Sequence, residues 1–88
     1  MNKISKHISY KEATRSTTAL RLGIDNKPNE YHLQNMEMVA KHIFEPLRQA
    51  IDAPIKINSF FRCEELNKAI GGSTKSQHCQ GRAIDIDD

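Results

Sequence analysis

The residues of this chain that are best suited to chemistry lie within a short stretch near its end. They are Ser76, His78, Gly81, Ala83 and Asp85, which spell Ser-x-His-x-x-Gly-x-Ala-x-Asp. Imidazole nitrogen and carboxylate oxygen both bind zinc at about 2.0–2.2 Å, so His78 and Asp85 are candidate zinc ligands. Gly81 would allow a tight turn that folds the histidine back onto the aspartate. The pattern indicates a metal site, although a histidine and an aspartate at this spacing also occur by chance on ordinary surfaces.

The segment that carries Asp85 separates a core face from a site face. From Arg82 to Ile86 the residues alternate in the way that is typical of a half-buried strand. Ile84 and Ile86 would point to one face, and Ala83 and Asp85 to the other. A small side chain beside the carboxylate would leave room for a metal ion.

Short helices are predicted before this strand. Ser9-Tyr-Lys-Glu12 has the form of a capping box, which predicts that a helical turn starts there. A second helix is predicted over Thr17–Leu22, capped by Ser16 or Thr17 and closed by Gly23 in the left-handed conformation. The residues at 24–29 would form a connecting loop.

The strongest helical pattern begins after Pro28. Pro46 falls inside this pattern and should kink the helix, because it lacks an amide and its ring meets the carbonyl of His42. Asp52-Ala-Pro54 should end the helix. Apolar residues recur along it at steps of three and four, which predicts one buried stripe: Leu33, Met36, Ala40, Ile43, Leu47 and Ala50.

The predicted fold class is α+β, with helices packed on a small antiparallel sheet. Ile55–Ser59 alternates as a strand does, and this sheet is expected to include both Ile55–Ser59 and Arg82–Ile86. A short helix over Glu64–Ile70, stopped by two glycines, lies between the two strands. We find no repeat or linker, so residues 1–88 are expected to form a single domain.

Composition excludes several classes of protein. The chain has 88 residues, a formal net charge of +2 and 27% charged residues, values typical of one small globular domain in which a bound metal would add to stability. Basic residues form no long run, so no nucleic-acid partner is expected. No membrane span and no secretory signal are found, which predicts synthesis in the cytoplasm. Cys63 and Cys79 are expected to be free thiols.

The motif resembles that of the zinc D-alanyl-D-alanine carboxypeptidases and dipeptidases, peptidoglycan metallopeptidases whose family includes phage endolysin endopeptidases. The resemblance is to the phage-like branch of the family and covers most of the chain, from about Ser16 to Asp87. It implies a fold like that of the hedgehog and D-Ala-D-Ala peptidases. Further segments that carry it are Ser16–Ala19, Gly23–Asn26 with Pro28, Glu45–Arg48, Ile55–Arg62, Leu66–Asn67 and Ile70–Gly72.

The resemblance implies a role for each site residue. The motif histidine and aspartate of such enzymes bind zinc, which assigns His78 and Asp85 as metal ligands. Ser76 would help to hold the free C-terminus of a peptide. Arg62 would stabilise the oxygen of the cleaved carbonyl, where negative charge develops in the tetrahedral intermediate. The implied cofactor is zinc, the implied partner is a peptidoglycan stem peptide, and the implied site of action is the cell wall.

The sequence also departs from the family pattern. Phe60 and Phe61 stand where the branch usually has a glycine and an aromatic residue, so the resemblance does not determine the conformation of the turn at this point. Relatives continue into a strand with a catalytic glutamate and a second histidine ligand, whereas this sequence ends at Asp88. A catalytic zinc site generally has three protein ligands, and two are found here. We therefore expect a domain that is incomplete at its C-terminus.

Other possible metal ligands are weaker candidates. His42 lies outside the helix stripe, His32 lies near the start of that helix, and His7 lies in an N-terminal segment that is expected to be mobile, so all three are predicted to be solvated. Cys79 should diverge from the neighbouring motif histidine, whereas Asp87 would share a strand face with the motif aspartate.

Three functions remain open from the sequence. The first is a zinc metallopeptidase that cleaves stem peptides, as a D-Ala-D-Ala carboxypeptidase or an endolysin-type endopeptidase. The second is a non-catalytic module that binds cell-wall peptide or a phage partner. The third, a purely structural interaction domain, requires that no zinc binds.

Overall fold

Helices and two separate two-stranded antiparallel sheets make up the part of the chain that the structure describes. This computed structural model describes residues 3–86, and its elements confirm the predicted α+β class. None of the helices within those residues is both long and apolar enough to cross a membrane.

The first sheet is a hairpin that the sequence did not predict. Strand β1 (Lys3–Ser5) pairs antiparallel with β2 (Ile8–Ser9), and Lys3 lies opposite Ser9. Ile4 and Ile8 are buried in the core. The segment that was expected to be mobile instead forms a hairpin packed on the core, and His7, expected to be solvated, is partly covered and contacts the Glu45 carboxylate.

Two short helices follow, and their capping confirms the sequence interpretation. In α1 (Tyr10–Thr14) the Ser9 hydroxyl accepts from the amide of Glu12 at 3.0 Å, and the Glu12 carboxylate accepts from the amide of Ser9 at 3.2 Å. In α2 (Thr17–Leu22) the cap is Ser16, whose hydroxyl accepts from the amide of Ala19. Gly23 closes α2 with φ 70°, as expected.

The long helical segment contains a π-helical turn in place of a simple kink. Helix α3 (Glu30–Val39) leads directly into a π turn at Ala40–Phe44 and then into α4 (Glu45–Ile51). The amide of Glu45 donates to the carbonyl of Ala40, five residues back. Pro46, which has no amide to donate, lies at the start of α4, where a missing donor costs least.

The π turn changes which residues are buried, so the predicted stripe is wrong beyond Ala40. Met36 and Ala40 are buried as expected, but the next core residue is Phe44, which is 1% exposed. Ile43 and Leu47 are 58% and 38% exposed, and the sixth predicted member, at position 50, is also exposed. The longer turn rotates the following residues about the helix axis.

The second sheet lies under the candidate site. Strand β3 (Ile57–Ser59) pairs antiparallel with β4 (Asp85–Ile86), so Ser59 lies opposite Asp85. Both strands are shorter than predicted, since residues 55–56 and 82–84 run outside the ladder. Helix α5 (Glu64–Ala69) and a 3-10 helix (Gln77–Gln80) connect them.

One core joins the hairpin, the long helical segment and β3. Phe60 and Phe61, the two residues that depart from the family pattern, are 1% and 2% exposed. They act as core side chains, while Arg62 directly after them reaches the site. Ile84 and Ile86 pack against the same core, as the alternation predicted. The buried core residues are Ile4, Ile8, Ala13, Met36, Ala40, Phe44, Ile57, Phe60 and Phe61.

Candidate metal and peptide site

His78 is held in one orientation by backbone groups. It lies on the 3-10 helix, whose start is capped by the Ser76 hydroxyl accepting from the His78 amide at 3.2 Å. The ring is buried, and Nδ1 lies 2.7 Å from the carbonyl oxygen of Phe60. Because a carbonyl oxygen can only accept, Nδ1 carries the hydrogen in this contact. In the neutral ring, Nε2 then carries a free lone pair, the form in which histidine binds metals.

Asp85 places a second atom that can bind a metal, its carboxylate oxygen Oδ2, next to Nε2 of His78. Its Oδ2 lies 3.2 Å from Nε2 of His78, and its side chain is 61% exposed whereas that of His78 is 10% exposed. Two ligands bound to one zinc at about 2.0–2.2 Å with a tetrahedral angle would lie about 3.3–3.6 Å apart. The observed separation is slightly shorter than this range, so the two atoms would move apart by about 0.1–0.4 Å to occupy adjacent positions of one zinc ion, and the exposed Asp85 side chain has room to do so. The same distance also suits an ion pair with a doubly protonated His78, and metal titration separates these two states.

Arg62 and Ser76 lie beside the ligand pair and are linked to it. The guanidinium Nη2 of Arg62 donates to the Ser76 hydroxyl oxygen at 3.2 Å, and the amide of Arg62 donates to the His78 carbonyl at 3.2 Å. The Nε of Arg62 is buried and has no hydrogen-bond partner within residues 3–86. Neither ion pair found among those residues involves Arg62. A positive group with an unused donor is suited to an anion.

The structure thus brings together the four residues that the motif and the resemblance singled out. Arg62 touches Ser76, Ser76 caps the turn of His78, and His78 meets Asp85. Their roles in binding and catalysis stay predictions.

Asn26 fixes the segment that carries Arg62, a function that the sequence interpretation missed. Its side-chain Nδ2 donates to the carbonyls of Thr14 and Phe61 at 2.9 and 3.0 Å, and its Oδ1 accepts from the amide of Cys63 at 2.7 Å. It therefore bonds to the backbone on both sides of Arg62. The available signal was that Asn26 lies in a stretch shared with the resembling family, but its bonding partners are distant in sequence.

Two glycines and an asparagine shape the loop before the site. Asn67 is 4% exposed and donates from Nδ2 to the carbonyl of Ser73 at 2.7 Å. Gly72 packs directly on the Asn67 side chain, where a Cβ would overlap it. Gly81 has φ 76°, and a Cβ there would lie 2.6 Å from the carbonyl oxygen of His32. The turn between the two candidate ligands thus requires glycine both for its conformation and for its packing against α3.

The other side chains considered as metal ligands do not join His78 and Asp85 within the described residues. Within residues 3–86, no group of three or more histidine, cysteine, aspartate or glutamate side chains is arranged to hold a metal. Burial raises the pKa of the Cys79 thiol, which makes it a poorer ligand because zinc binds the thiolate. Both cysteines are free, as expected. Asp87 lies outside the described residues.

The remaining three histidines have other environments. His7 Nδ1 contacts the Glu45 carboxylate at 2.6 Å. His32 stacks against Phe61 with ring centroids 4.8 Å apart, and burial lowers its pKa against a smaller opposing effect of Glu64. The prediction of a solvated His32 is therefore wrong in part, whereas His42 is exposed as predicted.

Comparison with known families agrees with this arrangement. A family model described as Peptidase M15 matches residues 6–88. The chain belongs to the peptidase M15 family. No curated protein matches the sequence. The match spans every element of the M15 domain from α1 to β4 and includes Arg62, Ser76, His78 and Asp85. Membership supports a peptidase-like function for this M15 domain and a metallopeptidase class.

Proposed function

We propose that this M15 domain is a zinc metallopeptidase-like domain that acts on peptidoglycan stem peptides, as a D-Ala-D-Ala carboxypeptidase or an endolysin-type endopeptidase. The observation that carries the proposal is the pair formed by His78 Nε2 and Asp85 Oδ2. The Phe60 carbonyl accepts a hydrogen bond from Nδ1 of His78, and the two atoms that would bind the metal, His78 Nε2 and Asp85 Oδ2, lie 3.2 Å apart. In the neutral ring neither of these two atoms carries a hydrogen, so a cation bound between them would stabilise their close contact.

His78 and Asp85 would hold the zinc ion, and the donor set of imidazole nitrogen and carboxylate oxygen suits it. Zinc, when bound, lowers the pKa of a coordinated water and polarises a carbonyl. A catalytic zinc generally has a third protein ligand, and a general base must take the proton from the water. Within the part of the chain that the structure describes, no third ligand joins the pair.

Arg62 would stabilise the carbonyl oxygen of the bond to be cleaved. Neither ion pair among residues 3–86 neutralises its guanidinium, and Nη2 lies beside Ser76, so its positive charge would face a developing oxyanion next to the ligand pair. A donor of this kind lowers the barrier because its interaction strengthens as charge develops.

Ser76 would hold the carboxylate at the peptide C-terminus. Its oxygen already accepts from Arg62 and from the His78 amide. A hydroxyl has one hydrogen to donate, and both of these contacts use its lone pairs. The hydrogen therefore stays available for an acceptor such as a carboxylate, with the Arg62 charge beside it.

Zinc titration by calorimetry under reducing conditions tests the site. The intact chain should bind one zinc ion, the variant His78→Ala should lose this binding, and Asp85→Asn should weaken it at least about tenfold. His42→Ala is the matched control, because His42 is exposed and away from the site, and it should bind as the intact chain does. Absence of binding, or binding that survives His78→Ala, would contradict the proposal.

A second candidate function is a non-catalytic module that binds cell-wall peptide or a phage partner. It is favoured by the finding that residues 3–86 contain no cluster of three metal ligands. Mass spectrometry of a stem pentapeptide and of a cross-linked stem peptide, each incubated with the protein and zinc, distinguishes the two functions. A carboxypeptidase releases D-alanine and an endopeptidase releases peptide fragments, and either activity is lost in His78→Ala, whereas the module binds the peptide without cleaving it.

A further inference from the structure

A cleft of about 610 Å³ opens next to the candidate site and shares Arg62 with it. Its other walls come from the connection between α1 and α2 and from the region of β3. Of the described residues, those that line it include three basic side chains, Arg15, Lys56 and Arg62, and no acidic one. The proposed chemistry uses Arg62 but leaves Arg15 and Lys56 without a function.

Within the described residues 3–86, no ion pair neutralises the charge in this cleft. The ion pairs found among residues 3–86 are His7 with Glu45 and His78 with Asp85, so neither contains Arg15 or Lys56. Arg15 and Lys56 are both exposed. Positive groups gathered in a concave surface raise the local concentration of anions.

Neutral hydrogen-bond donors lie beside these charges. The lining also includes Thr17 and Thr18 at the start of α2 and Asn58 in β3, residues whose side chains carry hydroxyl and amide donors. Lys56 and Asn58 lie two residues apart, so the alternation of an extended chain turns both toward one side. Ammonium, guanidinium, hydroxyl and amide donors together suit a carboxylate.

We propose that this cleft is a subsite for a carboxylate-bearing side chain of the peptide substrate, bound by Arg15 and Lys56. The inference rests on the proposed function, because Arg62 connects the cleft to the reacting end of that peptide. The volume accommodates several residues of an extended peptide rather than a single small ion. The cleft would therefore select peptides that carry an acidic residue before the bond to be cleaved.

The test uses two synthetic peptides, acetyl-Ala-Glu-Lys-D-Ala-D-Ala and the same peptide with glutamine in place of glutamate. Each is titrated into the full chain with a chelator and low salt, and amide chemical shifts and calorimetry report binding without cleavage. The glutamate peptide should bind about fivefold more tightly, the effect of one partly screened charge pair. Its largest distinctive shifts should fall on residues 15–18 and 56–59.

Charge-matched variants identify the residues responsible. Arg15→Gln and Lys56→Gln should each lower the preference for glutamate over glutamine, and the double variant should bring it to about one. Arg21→Gln and Lys41→Gln remove the same charge from exposed positions outside the cleft and should keep the preference. Amide spectra of all five variants confirm that they are folded before the affinities are compared.

The outcomes separate this inference from the proposed function. Equal binding of the two peptides, or equal loss of preference in the control variants, overturns the subsite even when zinc binds at His78. A glutamate preference that depends on Arg15 and Lys56 supports the subsite even when the zinc titration fails, and then the domain is a peptide-binding module.

Discussion

At the scale of single residues, the site depends on a backbone carbonyl that no motif records. The spacing of His78 and Asp85 predicted that the two side chains meet, and they lie 3.2 Å apart. The spacing could not predict that the Phe60 carbonyl accepts a hydrogen bond from Nδ1 of His78, because these two residues are 18 positions apart in the sequence. Carbonyl partners of this kind set which ring nitrogen is free to bind a metal.

Substitution of Gly81 should destabilise the turn between the two candidate ligands without removing any of the site's functional groups. In Gly81→Ala, the left-handed φ of 76° costs about 1–2 kcal/mol. The new Cβ would also lie 2.6 Å from the His32 carbonyl and 2.7 Å from Met36 Cγ, which adds about 1–3 kcal/mol of overpacking. Urea unfolding should show a total loss of about 2–5 kcal/mol.

Gly23→Ala is the control for the conformational part of this loss. Gly23 has φ 70° but no atom lies within 4 Å of a Cβ built there, so only the backbone strain of about 1–2 kcal/mol is expected. Equal losses for the two variants would mean that packing against α3 does not require glycine at position 81.

At the scale of elements, the N-terminal hairpin depends on one carboxylate of α4. Glu45 accepts hydrogen bonds from the His7 amide at 3.0 Å, from the Ser5 hydroxyl and from His7 Nδ1 at 2.6 Å. Burial alone would raise the pKa of Glu45, but these hydrogen bonds outweigh it and lower the pKa below the ordinary value of 4.5. The contacts therefore favour the ionised carboxylate in the folded state.

This pKa shift predicts a pH dependence of the stability. A carboxylate whose folded pKa is depressed contributes stability above its unfolded pKa and loses it as the pH falls through the folded pKa. Glu45→Gln should therefore lower the free energy of unfolding by about 1–2 kcal/mol at pH 7, and by less at pH 3. Urea unfolding at the two pH values measures the difference. Glu37→Gln, an exposed position on α3, should change stability by less than about 0.5 kcal/mol. A loss in Glu45→Gln that is the same at both pH values would contradict this account.

Elements with local signals could be predicted from the sequence, whereas those made by distant contacts could not. The capping residues Ser9 and Ser16 and the closing Gly23 placed α1 and α2 correctly, because caps act within one turn. The hairpin has only five strand residues, and it is stabilised by burial of Ile4 and Ile8 and by bonds to α4. The π turn moved Phe44 into the core, a choice made by packing and not by the period of the helix.

At the scale of the whole molecule, the candidate site joins segments from much of the chain. Asn26 from the loop after α2 bonds to both sides of Arg62, the Phe60 carbonyl after β3 orients His78, and Asp85 comes from β4. The motif residues could be found from their spacing together with the family resemblance. The bonds of Asn26 and the basic cleft could not, since they form only when these segments meet. A metal that joins the 3-10 helix to β4 would therefore favour the folded state as a whole.

The stability of the folded domain should therefore depend on zinc. A ligand at a hundredfold excess over its dissociation constant stabilises the folded state by about 2.7 kcal/mol, and for a domain of this size that corresponds to a rise in Tm of roughly 10–20 °C. Thermal unfolding followed by circular dichroism, with zinc and then with excess chelator, should show this rise and its reversal. His42→Ala should keep the rise. His78→Ala should lose it; its Tm without metal should also fall, because a buried ring and its hydrogen bond to the Phe60 carbonyl are removed, so the effect of zinc is measured against the Tm of the same variant in excess chelator. An equal rise in His78→Ala would place the metal on other side chains, and the contact between His78 and Asp85 would then be an ion pair that stabilises the turn.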